Sequence, residues 1–268
     1  MKSFLYILFN EVKRFIQINE YKTLLMLGLK YGRTKRYTKR QVKFDGNEFT
    51  VADFQSFFWQ YKQIYVDQCY KFESSSSQPI IIDCGANVGL SAFYFAQLFP
   101  SANIFAYEAD VEIHKCLSSN VKQFPSVQAI HKAVWINNDG VQFSTEGADG
   151  GAVSKGNSTN TISVPSIALK DILAPHTQVD MLKIDIEGAE VEVVRSVKDD
   201  LRKCQNVFIE YHSFPNKEQH LHELLSILAS NGFRYYVKEE VVSTQSYFVT
   251  KGNKGNMDMQ INIFAYKA

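Results

Sequence analysis

Two stretches of this chain carry residue types that can do chemistry. The first is Asp83-Cys84-Gly85-Ala86-Asn87-Val88-Gly89-Leu90, which follows the apolar run Ile80-Ile81-Ile82. A buried strand that runs through a glycine turn straight into a helix is where open α/β sheets hold nucleotide cofactors. Gly85 and Gly89 let the backbone approach a ligand, with Ala86 and Asn87 between them. Amides from Val88 to Leu90 open the helix and suit a carboxylate, while Asp83 suits an ammonium group. Glu108 follows 25 residues after Asp83, at the end of a second strand, where its carboxylate can accept from both hydroxyls of a ribose, next to Ala109. Ala133 and Val134 end a third strand and can flank an adenine. Ribose, adenine and an amino-acid tail together describe S-adenosylmethionine. The turn lacks the G-x-G-x-x-G spacing that accommodates a pyrophosphate, which argues against a dinucleotide.

The second stretch is Lys183-Ile184-Asp185-Ile186-Glu187-Gly188-Ala189-Glu190, with Glu210-Tyr211-His212 further on. Acids and a histidine at two strand ends would converge on one rim. An alcohol is a poor nucleophile at neutral pH, so a hydroxyl acceptor must lose its proton as it attacks. Asp185, Glu210 or His212 can take that proton directly. Alternatively, Asp185, Glu210 and His212 can hold Mg²⁺ or Mn²⁺ to polarise the hydroxyl, with Lys183 completing the transfer. Plainer roles exist too: Glu187 and Glu190 offset a helix dipole from the first turn, Glu190 doing only that, and Lys183 pairs with a neighbouring acid. The expected catalytic set is Asp185, Glu210, His212, Lys183 and Glu187.

Asp83 to Gly89, Glu108, the Lys183–Glu190 stretch, Glu210 and His212 together resemble the FkbM family of S-adenosylmethionine-dependent methyltransferases. The glycine turn is common to many methyltransferases, whereas K-I-D-x-E-G-A-E is far more specific. The resemblance covers about residues 80–238. It implies a seven-stranded methyltransferase sheet and, usually, methyl transfer to a hydroxyl of a sugar, polyketide or other small metabolite. Two other classes stay open: a cofactor-binding module without turnover, and an RNA methyltransferase that uses basic residues near the N-terminus. Base methylation is disfavoured because Ile184-Asp185-Ile186-Glu187 stands where an Asn/Asp-Pro-Pro-aromatic stretch would be expected.

The elements that must position these residues follow from periodicity. Strands are expected at residues 80–83, 103–107, 127–134, 179–185 and 207–211, alternating with helices at 90–98, 112–121, 189–201 and 217–231. This is the pattern of a mostly parallel sheet with right-handed crossovers. Gly232 is placed to cap the last helix. Residues 233–238, 247–250 and 261–266 complete the sheet, the last as an antiparallel edge hairpin. A Gly/Ser/Asn-rich stretch, 137–160, reads as a hairpin near Val141–Ser144 plus a mobile loop.

Residues 1–75 read as a helical, aromatic extension and 76–268 as the methyltransferase domain, the polar Ser74–Pro79 linker marking the boundary. The extension opens on an amphipathic helix with Phe4, Leu5, Leu8, Val12, Phe15 and Ile16 on one face. A second helix covers about residues 21–29, and strands follow at 41–44 and 48–51. Eight aromatic residues then crowd between Phe54 and Phe72, as packing or as the lining of a substrate entrance.

In 268 residues the net charge is only +1, yet residues 21–44 hold eight Lys or Arg and no acid. Such a segment suits an anionic lipid surface, a phosphate backbone or simply solvent. The expected partner is a small-molecule or glycan hydroxyl acceptor. Nucleic acid is disfavoured, and peripheral membrane contact through the N-terminal helix or self-association is left open. Four cysteines without metal or disulfide spacing fit a reducing cytoplasm. No run approaches the roughly 18 apolar residues of a spanning helix, and the start lacks a cleavage site.

Overall fold

The computed structural model of the chain describes residues 19–144, 152–153, 161–215, 217–240 and 257–267. The helix expected over Phe4–Ile16 and the strand expected at 247–250 lie outside these. At the centre is β3 (Ile80–Cys84), following α1 (Asn19–Tyr31), β1 (Arg40–Phe44), β2 (Asn47–Val51) and α2 (Phe54–Tyr61). The chain continues through α3 (Leu90–Leu98), β4 (Asn103–Glu108), α4 (Val111–Val121) and β5 (Val127–His131). After β6 (Ala133–Trp135), β7 (Val141–Ser144), β8 (Ala152–Val153), β9 (Thr161–Val164), β10 (Ser166–Ala168) and α5 (Leu169–Leu173) come β11 (Val179–Ile184) and α6 (Glu190–Ser196). The last elements are β12 (Cys204–Ser213), α7 (Leu221–Ser230), β13 (Arg234–Glu239) and β14 (Met259–Tyr266).

Seven strands form one sheet in the order β13-β14-β12-β11-β3-β4-β5. The inner strands are buried on both faces, as a parallel sheet covered by helices requires: all six residues of β11 are buried, and so are four of the five in β3. From β3 the chain steps outward through β4 and β5, then returns to build β11 and β12 on the other side. The order of connection therefore reverses between β3 and β11, so the crevice at their carboxyl ends is where a ligand belongs. Only β14 runs antiparallel, slotted between β12 and β13. At this edge β13 is the outer strand and pairs antiparallel with β14 one place inside; the expected hairpin partner at 247–250 lies outside the described residues. Gly232 adopts φ +81° after α7, as a left-handed cap demands.

The third strand, expected to run unbroken from 127 to 134, divides at Lys132. β5 stays in the main sheet, while β6 turns away to pair in parallel with β10. Alongside, β7 and β8 of the Gly/Ser/Asn-rich stretch join β9, just beyond it, in a small antiparallel sheet with β7 in the middle.

The extension and the sheet share one core. The β1–β2 hairpin closes through Asp45 and Gly46, both at positive φ, the geometry of a type I′ turn. It brings Phe44 and Phe49 against Phe57 of α2 and Phe93 of α3, with ring centroids 5.5–6.0 Å apart. Asn120 of α4 donates to the Thr50 carbonyl and accepts from the Thr50 amide, at 2.8 and 2.7 Å. α1 buries Leu24 and Leu27 and leaves Leu25, Met26 and Leu29 exposed. Among the described residues no helix is long and apolar enough to cross a membrane.

Candidate active site

One cavity of about 390 Å³ opens at the switch point, the scale of a single bound metabolite. Its walls come from the turn after β3, the ends of β4, β11 and β12, and one face of α2. Of the expected donor-site residues, Gly85, Ala86, Asn87, Glu108, Ala109 and Ala133 line it, and Asp83, Gly89 and Leu90 do not. Asp83 is fully buried behind the turn, where its carboxylate faces the Lys183 ammonium at 3.1 Å and accepts from the Ser91 hydroxyl. It is therefore committed inside the protein and is not free for a ligand ammonium. Gly89 has φ +89°, and a Cβ there would lie 2.6 Å from Leu117 Cδ1, so its glycine serves the packing of α3 on α4. Leu90 belongs to the core.

Gly85 is different. At φ +79° its Cβ position would fall 1.8 Å from the Asp185 carbonyl oxygen, so only glycine allows the β3 and β11 turns to lie this close. Glu108 lines the cavity with each carboxylate oxygen fixed by a backbone amide, Asn87 N–H at 2.9 Å and Asp110 N–H at 2.8 Å. Burial raises its pKa to about 7, against the pull of those two amides. A cradle held open by glycine and a fixed carboxylate at the second strand end fit the adenosyl portion of S-adenosylmethionine.

Lys183 ties the donor turn to the acidic rim. Buried within β11, its ammonium donates to the Gly85 carbonyl at 2.9 Å and lies 3.1 Å from Asp83 and 3.4 Å from Asp185. Burial alone would lower its pKa, but the two flanking carboxylates raise it, so the cation is permanent. Asp185 is pushed up to about 7 by burial and by the charge of Glu210, with Lys183 and His212 opposing.

Beyond Asp185 the chain takes two successive left-handed residues, Glu187 at φ +55° and Gly188 at φ +93°. A non-glycine residue held there is strained. The strain places the Glu187 carboxylate 3.6 Å from His212 Nε2. The same nitrogen lies 3.4 Å from Glu210, whose carboxylate also accepts from Gln260 of β14.

Glu190 does more than the capping expected of it. It is fully buried, and its Oε1 accepts from the Ile186 and Gly188 amides at 3.2 and 2.9 Å and from His212 Nδ1 at 3.0 Å. An oxygen that already accepts from two amides can only accept from the ring, so Nδ1 carries its proton and the imidazole is locked in orientation. Burial would lower the His212 pKa, but Glu190 and the other acids carry it well above the ordinary value. The His212 bond in turn holds Glu210 below the usual range against its burial, whereas burial keeps Glu187 well above. The spacing Glu190-x₂₁-His212 carries no periodic signal, so only the pairing of β11 with β12 reveals this contact.

For a divalent ion, Asp185, Glu187 and His212 each offer one donor atom within 4.8 Å of the others; Glu210, expected in that set, is not in the triplet. The surrounding acids carry the His212 pKa well above its ordinary value, so a metal ion there would have to displace that proton. The ammonium of Lys183 and the imidazolium already supply the cations such a cluster needs.

A mostly parallel sheet with this strand order, and a cavity at its switch point lined by a glycine turn and a strand-end carboxylate, is the arrangement of a Rossmann-like methyltransferase. The model of the methyltransferase FkbM domain matches residues 83–235, more than half of the sequence, and the chain belongs to that family of S-adenosylmethionine-dependent enzymes. Methyltransferase sdnD of Sordaria araneosa is 27% identical over 195 residues, covering 56% of this chain and 73% of the relative. The 2-O-methyltransferase NoeI of Sinorhizobium fredii is 26% identical over 153 residues, covering 50% of this chain and 63% of that protein. Among solved structures, the methyltransferase FkbM of Methylobacillus flagellatus aligns at 14% identity and a TM-score of 0.45, over 73% of this chain and 45% of the other.

Proposed function

We propose that this chain methylates a hydroxyl oxygen of a sugar or small secondary metabolite, with Asp185 receiving the hydroxyl proton. The observation that carries the reading is the Asp185 carboxylate, which faces the cavity beside the donor turn with a pKa near 7, suited to a base at neutral pH. The other acids of the rim suit the task less well. Against its burial, the surrounding acids carry the His212 pKa well above the ordinary value, which favours the imidazolium; burial pushes the Glu187 carboxyl well above the ordinary range; and the His212 bond makes Glu210 a weaker base.

S-adenosylmethionine supplies an electrophilic methyl on sulfur. Asp185 would take the O–H proton as the acceptor oxygen receives the methyl that the bound donor would supply, S-adenosylhomocysteine being the leaving group. Lys183, fixed between Asp83 and Asp185, holds the carboxylate in place. His212, oriented by Glu190, balances the charge of Glu210. Glu108 and the Gly85–Asn87 backbone bind the adenosyl group. That the relative NoeI is named a 2-O-methyltransferase supports oxygen as the acceptor atom.

The test is S-adenosylhomocysteine release with a panel of glycans and hydroxylated metabolites, for wild type and Asp185→Asn. Methyl transfer to oxygen that collapses in the variant is expected. Transfer to nitrogen, or an unimpaired variant, would overturn the reading.

A further inference from the structure

α2 and the π-helical turn that follows it, Lys62–Val66, have two sharply different faces. Phe54, Phe57, Tyr61, Ile64 and Tyr65 point into the shared core. Gln55, Ser56, Trp59, Gln60 and Gln63 fall on the opposite side at spacings of one, three, one and three, and all line the cavity. This is a polar face with a single indole in it. Trp59 is 59% exposed, and Phe58 braces it edge-on at 5.7 Å.

The face is tied to the acidic rim. Gln63 donates to Glu240, which also accepts from Asn262 of β14 at 2.8 Å, and the Glu240 amide donates to the Gln260 carbonyl at 3.1 Å. The Gln260 side chain in turn donates to Glu210. Trp59 lies four residues before Gln63, just over one helical turn or about 6 Å along the axis. The indole thus stands at the solvent side of the cavity that holds Asp185 and Glu210.

From this juxtaposition we infer that the α2 face is the acceptor subsite, with Trp59 as a stacking platform for a pyranose ring and the glutamine amides bonding its hydroxyls. An aromatic ring can also stack on a nucleobase, but the α2 face itself decides between the two. Its polar side chains, Gln55, Ser56, Gln60 and Gln63, are all neutral, and Arg36 beside them is already matched by Asp53 at 2.8 Å. The face thus offers hydrogen bonds for sugar hydroxyls and no uncommitted cation of its own for a phosphodiester. The inference rests on the hydroxyl-methylation reading and adds to it the acceptor class and the residue that selects it.

The experiment is an array of neutral oligosaccharides, together with single-stranded RNA homopolymers, probed with full-length protein saturated with S-adenosylhomocysteine. Wild type should hold a set of pyranosides. Trp59→Ala should weaken them at least tenfold, Trp59→Tyr should restore most of that, and Trp135→Phe should change nothing. Cofactor affinity and thermal midpoint should be unmoved by Trp59→Ala. Equal retention by Trp59→Ala, Trp59-dependent retention of RNA in place of sugars, or a cofactor-loaded wild type that holds no sugar would each overturn the platform. Failure to bind S-adenosylhomocysteine at all would instead sink the parent reading.

Discussion

Replacing Asp185 by Asn separates its chemical role from its structural cost. Its carboxyl is carried from an ordinary 3.8 to about 7 in the folded chain, with burial the leading cause and Glu210 the next. A raised carboxyl pKa means the folded state prefers the neutral acid. The favourable contribution is complete below the unfolded value and is lost as pH rises through the folded value. Between pH 5 and pH 8 the wild type crosses about two pH units of that window, which corresponds to about 3 kcal/mol. Asn has no proton to lose and crosses none of it. Denaturant melts at the two pH values should therefore show Asp185→Asn gaining about 3 kcal/mol on the wild type toward alkaline pH, or roughly 6–12 °C in midpoint for a chain of this size. Over the same range, kcat/KM of the wild type should climb tenfold per pH unit below about 7 and then level. The variant should lose about 10²–10⁴ in rate and show no such limb. A stability difference that is equal at pH 5 and pH 8 would refute the burial argument. A variant that keeps the acid limb would place the base elsewhere on the rim.

Gly85→Ala forces a Cβ to within 1.8 Å of the Asp185 carbonyl oxygen, so it should abolish S-adenosylhomocysteine binding by calorimetry; retained affinity would show that the cradle is not where the cofactor lies. Glu190→Gln removes a charge-assisted bond to His212 worth about 1.5–3 kcal/mol. The His212 pKa should fall and kcat should drop while cofactor affinity holds, and an unmoved imidazole titration by NMR would contradict the orienting role. Activity should be indifferent to EDTA, because Lys183 and His212 already supply cationic charge; loss restored by Mg²⁺ or Mn²⁺ would reinstate the metal. Phe49→Ala, at a fully buried ring touching α2 and α3, should cost about 3–5 kcal/mol in a single unfolding transition. A separate early transition of residues 19–72 would show instead that the extension melts on its own.

What was legible in the sequence is what short-range pattern encodes. β3 announces itself because its run Ile80-Ile81-Ile82 is apolar and leads through Asp83 to the turn glycine Gly85; β11 carries Asp180 and Lys183 among its apolar residues and is marked instead by the acidic stretch Asp185–Glu190 that follows it. The segment from Thr161 to Leu173 has no such signature. Its strands are four and three residues long on either side of Pro165; β9 forms by pairing with β7, and β10 because Ser166 finds Ala133, which β5 has released at Lys132. The site divides the same way. Spacing points to Gly85, Glu108 and Asp185 as cavity residues, since each lies at a strand end. The fates of Asp83 and Glu190 depend on partners about 100 and 22 residues away. In both cases a carboxylate that reads as a ligand contact or a helix cap is enlisted to fix a cation, Lys183 in one and the His212 imidazolium in the other. These two buried pairs place positive charge between the acids, so that Asp185 and Glu210 share one rim and still differ in basicity. In the proposed reaction, that difference, rather than the number of acids, selects the one that takes a proton at neutral pH.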